Sequence, residues 1–208
     1  MTAEIRVYVE GSGRDKAGVV SLRTAFNSFL RGPREKARRK RINLRPLPRG
    51  SRENTFRDFC LALRQYPDAL VVLLVDAEAP VRSANPWYHL THDSGDGWRN
   101  PGAEDRQCHL MVQTMEAWLI ADRDKLAAYY GKEFQVSALP SNTNVEEVSK
   151  ENLRKALKRA TRGTRKGEYH KTKHGPAILA EVRPEEVARR APHCQRLFDV
   201  LAAAIEEL

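Results

Sequence analysis

The chain has 208 residues, 30% charged and 41% hydrophobic, with a formal net charge of +9. That apolar content suffices for one packed core and excludes a mostly disordered chain, while 12 Gly, 11 Pro and 3 Cys exclude collagen-like and disulfide-scaffold classes. The excess positive charge favours a polyanionic partner: nucleic acid, an acidic membrane surface or a phosphorylated ligand.

The chain opens with residues 5–9, Ile-Arg-Val-Tyr-Val, an alternating β-branched and aromatic run that predicts a strand. It stops at Glu10-Gly11-Ser12-Gly13, a turn that glycine permits. Val19, Leu22, Ala25, Phe26, Phe29 and Leu30 then recur at helical spacing. Residues 31–49 carry nine Lys and Arg with Glu35 as the single acid. A short strand is expected at residues 42–47, held to a sheet edge by Pro46. Ser51 predicts an N-cap for a helix whose apolar face carries Phe56, Phe59, Cys60 and Leu63. Residues 69–75, apolar on both faces, read as a central parallel strand ending at Asp76-Ala77-Glu78.

Residues 80–106, rich in Pro, Gly, Asn, Asp and Ser, show no core periodicity and are expected to form a long loop. A fourth strand is expected at 108–113 and a helix from Met115, with Asp122 as N-cap of another helix through Tyr130. Residues 145–160 predict a basic helix, 161–174 a basic mobile loop, and 176–179 and 184–208 further helical spacing. The pattern is that of an α/β fold with a mainly parallel sheet flanked by helices and a C-terminal helical extension. Residues 1–134 are assigned to the α/β core and 135–208 to a basic helical extension packed on it.

The first ten residues lack a signal-peptide pattern. The longest apolar run, residues 69–75, is far short of the roughly 20 residues that cross a bilayer. Cys60, Cys108 and Cys194 are scattered and odd in number, which suits a reducing compartment. A cytoplasmic protein without a membrane partner is the expectation.

The sharpest feature is the acids at strand ends: Glu10 after the first strand, Asp76 and Glu78 after the buried one. Ligands of open α/β sheets bind at those ends. Carboxylates gathered there repel one another unless a proton or cation intervenes, and a hard divalent ion such as Mg²⁺, or Mn²⁺, is the usual solution. Solvated acids at loop starts are the alternative. His89, His92 and Asp93 make only a weak zinc pattern, Ser12 lies in no nucleophile elbow, and no P-loop is present.

Residues 7–11, Val-Tyr-Val-Glu-Gly, followed by Leu73-Leu74-Val75-Asp76-Ala77-Glu78, resemble the TOPRIM domain of topoisomerases, primases and overcoming-lysogenization-defect-type nucleases. Gln113 with Met115-Glu116-Ala117-Trp118-Leu119-Ile120-Ala121-Asp122, and Lys171-Thr172-Lys173-His174-Gly175-Pro176, are similar to a group of small bacterial TOPRIM-like proteins found beside ABC/SMC-type ATPases in anti-phage defence loci. The first resemblance spans roughly residues 3–122 and the second extends to about 180; Glu78 stands where the TOPRIM pattern has Asp. The resemblance implies a Mg²⁺-dependent nuclease cutting DNA or RNA, the effector of a two-component system with an ABC-type ATPase. A non-catalytic subunit that binds such an ATPase or nucleic acid is the alternative, and a homodimer is compatible with either.

In that reading Asp76 and Glu78 hold the metal, and Glu10 is a ligand or the general acid/base. Glu116 is a candidate for a second metal or for positioning water, and Lys173 for a phosphate contact. Asp122 is expected to be a cap. Nucleic-acid contacts are assigned to Arg14, Lys16, Arg38, Arg39, Lys40 and Arg41, and to Lys158, Arg162, Arg165 and Lys166. Trp87, Tyr88 and Trp98 are stacking candidates with loop packing as the alternative. The basic tracts are expected to flank the acidic centre.

Overall fold

In the computed structural model, residues 3–11 and 16–208 are described; Ser12, Gly13 and Arg14 lie outside them. Four strands form an all-parallel sheet in the order β2-β1-β3-β4, an α/β Rossmann-like arrangement. They are β1 (Glu4–Val9), β2 (Asn43–Pro48), β3 (Leu70–Asp76) and β4 (Cys108–Met111). Between β1 and β2 run α1 (Lys16–Phe29) and α2 (Arg31–Arg39); α3 (Arg52–Gln65) joins β2 to β3, and α4 (Pro86–His92) precedes β4. Beyond the sheet come α5 (Met115–Ala121), α6 (Arg123–Tyr130), α7 (Lys150–Thr161), α8 (Lys171–Glu181), α9 (Pro184–Arg190) and α10 (Pro192–Glu207).

Side chains of a strand alternate between faces, so each strand feeds two cores. Ile5, Val7, Val9, Val72, Leu74 and Met111 pack with α1, α5 and the C-terminal helices. Tyr8, Val71, Leu73, Val75, Cys108 and Leu110 pack with Phe59, Trp87 and Leu90 of α3 and α4. This two-sided burial explains the unbroken apolar run of β3. Pro46 and Pro48 occupy β2, the edge strand, where a missing N–H leaves no gap in the ladder. Ser51 caps α3 by accepting from the Asn54 N–H, and Asp122 caps α6 by accepting from that of Lys125.

Two expectations are corrected and one unassigned segment gains an element. Residues 31–39 form α2, a helix with only Ala37 buried, which its dense charge conceals from an apolar-periodicity reading. Residues 80–106 are not one loop: Pro86 and the Asn85 cap start α4, which buries Trp87, His89 and Leu90. In a helix this short, apolar positions cannot repeat often enough to show a period. The stretch 161–174 also contributes to the interior through Thr161, Thr164, Tyr169 and His174, and α8 already begins at Lys171.

One continuous apolar cluster joins strand residues such as Val72 to Leu197 and Leu201 of α10, with Phe29 stacked on Trp118 at a ring separation of 5.3 Å. Sheet and C-terminal helices therefore share one interior. Leu201→Ala is expected to cost about 2–5 kcal/mol, as a buried leucine truncation does. Urea unfolding followed by tryptophan fluorescence and far-UV circular dichroism should show both probes shifting together.

Candidate active site at the strand ends

The chain crosses from β1 to β2 on one side of the sheet and from β2 to β3 on the other, so the strand order reverses between β1 and β3. Open α/β sheets bind ligands at the crevice created there. Glu10 directly follows β1 and Asp76 ends β3, which places both at this crevice. Glu78, at φ +64°, turns back toward them, and its N–H donates to the Gln113 carbonyl at 2.8 Å. One carboxylate oxygen each from Glu10, Asp76 and Glu78 lies within 4.8 Å of the others. Gly11 leaves the cluster at φ +113°, and a Cβ there would approach Leu22 Cδ2 to 3.2 Å. Conformation and space both call for glycine.

Each carboxylate is met by one of the chain's own cations. Arg52 Nη1 donates to Glu10 Oε2 at 2.7 Å and to the Asp76 carbonyl at 2.6 Å. Its remaining nitrogens form a fork with Asp96 at 2.7 and 2.6 Å. Lys171 Nζ donates to Asp76 Oδ2 at 2.8 Å, and Lys150 pairs with Glu78. The backbone contributes as well: the Asp76 N–H donates to Glu10 Oε2 at 3.0 Å, and the Met115 N–H, at the start of α5, donates to Asp76 Oδ1 at 2.8 Å. A helix N-terminus carries partial positive charge and free N–H groups, and both favour a carboxylate.

Behind this first layer, Glu116 Oε1 accepts from the Tyr169 hydroxyl at 3.2 Å, while Oε2 lies 3.7 Å from Lys171 Nζ and has no hydrogen-bond partner. Gly175 brings α8 close: a Cβ there would stand 3.2 Å from Tyr169 Oη and 3.3 Å from Met115 Cε. His89, fully buried on α4, donates from Nε2 to the Ala77 carbonyl at 2.8 Å and so fixes the turn between Asp76 and Glu78. A cavity of about 130 Å³ opens beside Glu10 and Asp76, bordered by Gly11, Leu22, Met115, Lys171, Thr172 and Pro176.

Burial and the charge of Asp76 push the Glu10 carboxyl up to about 7, against the opposing pull of Arg52. Burial opposes the charge on Lys171, but Asp76 and Glu116 outweigh it and hold the ammonium above the ordinary lysine range. For Asp96, burial is overcome by the hydrogen bonds from Arg52 and Ser94, which lower its pKa.

The structure thus brings together Glu10, Asp76 and Glu78, with Glu116 one layer behind. Lys173 is not the lysine that meets them: it lies on the exposed side of α8, and Lys171, two residues earlier, reaches Asp76. Arg38, Arg39, Lys40 and Arg41 do not flank the carboxylates. They precede Asn43, which pairs in register with Glu4 at the amino ends of the strands, opposite the carboxylates. Six residues of β1 separate the two ends, about 20 Å at strand rise. Lys158 and Arg162 lie 3.9 and 3.5 Å from Glu168, Lys166 lies 4.7 Å over the Tyr129 ring, and Arg165 and Lys16 are exposed. Trp87 is buried, Trp98 stacks on Phe56 at 4.1 Å, and Tyr88 stacks on His92 at 4.4 Å. His89, His92 and Asp93 form no metal-ligating group among the described residues.

Sequence reasoning missed Arg52, Lys150 and Lys171 as members of the site. Each is the first residue of its helix, α3, α7 and α8. A cation there opposes the helix dipole, and at these three positions an acid of the crevice offsets that cost. Ser51-Arg52 and Ser149-Lys150 carry the cap and the cation in the sequence, but so does Asp122-Arg123, where Arg123 makes no ion pair among the described residues.

The sequence profile of a domain of unknown function, DUF4276, matches residues 9–202, and the chain belongs to that family. No curated protein and no solved structure matches it.

The raised Glu10 pKa has a pH signature. Between about 4.5 and 7 the folded protein holds a proton that the unfolded chain has released, so stability falls as pH rises through that window, by up to about 1.4 kcal/mol per pH unit. Glu10→Gln removes this slope. In metal-free buffer the stability of the variant relative to wild type should therefore increase from pH 5 to pH 8 in urea titrations; parallel pH profiles would show that Glu10 has an ordinary pKa.

Proposed function

We propose that this DUF4276 protein is a metal-dependent nuclease of TOPRIM-like type, hydrolysing phosphodiester bonds of DNA or RNA. The observation that carries the reading is the convergence of Glu10, Asp76 and Glu78 at the switch point of a parallel sheet, with one oxygen of each within 4.8 Å of the others. The donor set consists of carboxylate oxygens only, which suits a hard ion such as Mg²⁺ or Mn²⁺ better than zinc. Asp76 and Glu78 would hold the ion with Glu10 beside them, and the ion would supply charge neutralisation and a more acidic bound water.

The chain's own groups have separate tasks. Glu10, with a pKa of about 7, can exchange a proton near neutral pH, as a general acid or base must. Lys171, protonated and half-exposed beside the cavity, can turn from Asp76 to an incoming phosphate oxygen. Arg52 holds Glu10 to the end of β3, and Glu116, held by Tyr169, keeps the Lys171 ammonium in reach. The sequence resemblance adds a defence setting and an ABC-type ATPase partner to this proposal, and the scattered, odd-numbered cysteines add a cytoplasmic one.

A second reading has its own observation. Arg52, Lys171 and Lys150 already pair with the three carboxylates one to one, so each carboxylate has a cationic partner without an ion. A non-catalytic subunit that binds a partner ATPase or nucleic acid would use the cluster as an internal clasp.

Cleavage of plasmid DNA and of tRNA with Mg²⁺ or Mn²⁺, alone and with a co-encoded ATPase, separates the two. The nuclease reading expects Glu10→Gln and Asp76→Asn each to reduce cleavage by at least about 100-fold, the scale on which general acid–base groups contribute. Equal cleavage by wild type and both variants would remove the site from the chemistry, and no cleavage under any condition would favour the clasp.

A further inference from the structure

The acidic crevice leaves unexplained the most charged surface element of the chain. Helix α2 and the turn after it carry seven Lys and Arg against one acid, Glu35, over residues 31–41. Cations in the last turn of a helix offset its dipole, but one or two suffice for that. Arg34 donates to the carbonyls of Asn27 and Leu44, and Lys40 pairs with Glu206. Arg31, Arg38, Arg39 and Arg41 are exposed and have no carboxylate within ion-pair distance among the described residues. Elsewhere the chain pairs many of its arginines: Arg6, Arg52, Arg106, Arg183 and Arg189 all hold an acid within 3.0 Å.

We infer that this face is a docking surface for the phosphate backbone of a nucleic-acid duplex, separate from the carboxylate crevice. Like charges placed together without local partners raise the free energy of the isolated protein, and a polyanion relieves that cost through direct pairing and counterion release. Nine residues of α2 span about 13 Å, which covers about four steps of a duplex at 3.4 Å per step. Residues 31–41 contain no aromatic side chain, so the face has no platform on which unpaired bases would stack. Binding to the backbone alone positions a duplex and reads no sequence. Lying about 20 Å from Glu10 and Asp76 at the amino ends of the strands, the face would grip a segment remote from any reacting bond. The inference shares the nucleic-acid partner with the proposed nuclease but depends on neither metal nor cleavage.

The test is fluorescence anisotropy of the full chain, in EDTA, with a labelled 20-base-pair DNA duplex, a matched RNA hairpin and polyglutamate over a salt series. Arg38→Glu/Arg39→Glu/Arg41→Glu should weaken duplex binding at least tenfold and lower the slope of log affinity against log salt by about 2–3, near 0.9 for each phosphate that the variant no longer neutralises. The neutral triple Arg→Gln variant should fall between it and wild type, which keeps the test valid if charge reversal perturbs folding. A charge-matched control, Arg64→Glu/Arg99→Glu/Lys132→Glu, uses exposed cations outside α2 and should change binding much less. An equal loss in that control, unchanged binding in the α2 variants, or polyglutamate binding as tightly as the duplex would overturn the inference; the last result would assign the face to an acidic protein. Cleavage assays are scored separately, so failure of the nuclease proposal leaves these binding outcomes intact.

Discussion

Three carboxylates whose oxygens approach within 4.8 Å need compensating charge, and the surroundings of this crevice are organised around supplying it. Three helices, α3, α7 and α8, deliver a cation from their first residue, and α5 delivers a backbone N–H. The compensation is partial, since Glu10 still holds its proton to about pH 7. With a cation beside each acid and one proton retained, the site can exchange charge with a ligand. The same property serves either a metal-dependent hydrolase or an internal clasp, and the two readings differ in whether the lysines leave.

Topology makes the convergence possible. In the order β2-β1-β3-β4 the two strands that end in acids are hydrogen-bonded neighbours, with Val9 in register with Leu74. The helices that follow β1 and β3, α1 and α4, pack on opposite faces, which opens a crevice between the two strand ends. What closes over it comes from later in the chain: Lys150 and the segment from Tyr169 to Pro176. The C-terminal helices are therefore part of the site as well as part of the core, through Lys150, Tyr169 and Lys171 on one side and Leu197 and Leu201 on the other.

The charge distribution has a related division. The second basic stretch supplies Lys150 and Lys171 to the acids, and several of its other members pair locally with Glu168 or stack on Tyr129. Residues 31–41 of the first stretch are held at the amino ends of the strands because α2 must end where β2 begins. The basic residues thus divide into an internal counter-charge and an external face on which Arg31, Arg38, Arg39 and Arg41 make no ion pair among the described residues, two features with different physical consequences.

Much of the core was legible in the chain itself. β1, β3 and the cap of α3 follow from short-range patterns: β-branched alternation, an apolar run buried on both faces, and a serine that accepts from the residue three on. Glu10, Asp76 and Glu78 were legible as candidates because their position depends only on where strands end. α2 and α4 were hidden, one by charge and one by brevity, since periodicity detects a helix only through repeated burial. Lys171 in place of Lys173, and Arg52 and Lys150 at the acids, were decided by tertiary structure alone. Which cation meets which carboxylate depends on the packing of α3, α7 and α8 over the strand ends, and residues separated by up to 95 positions carry no local pattern that records it.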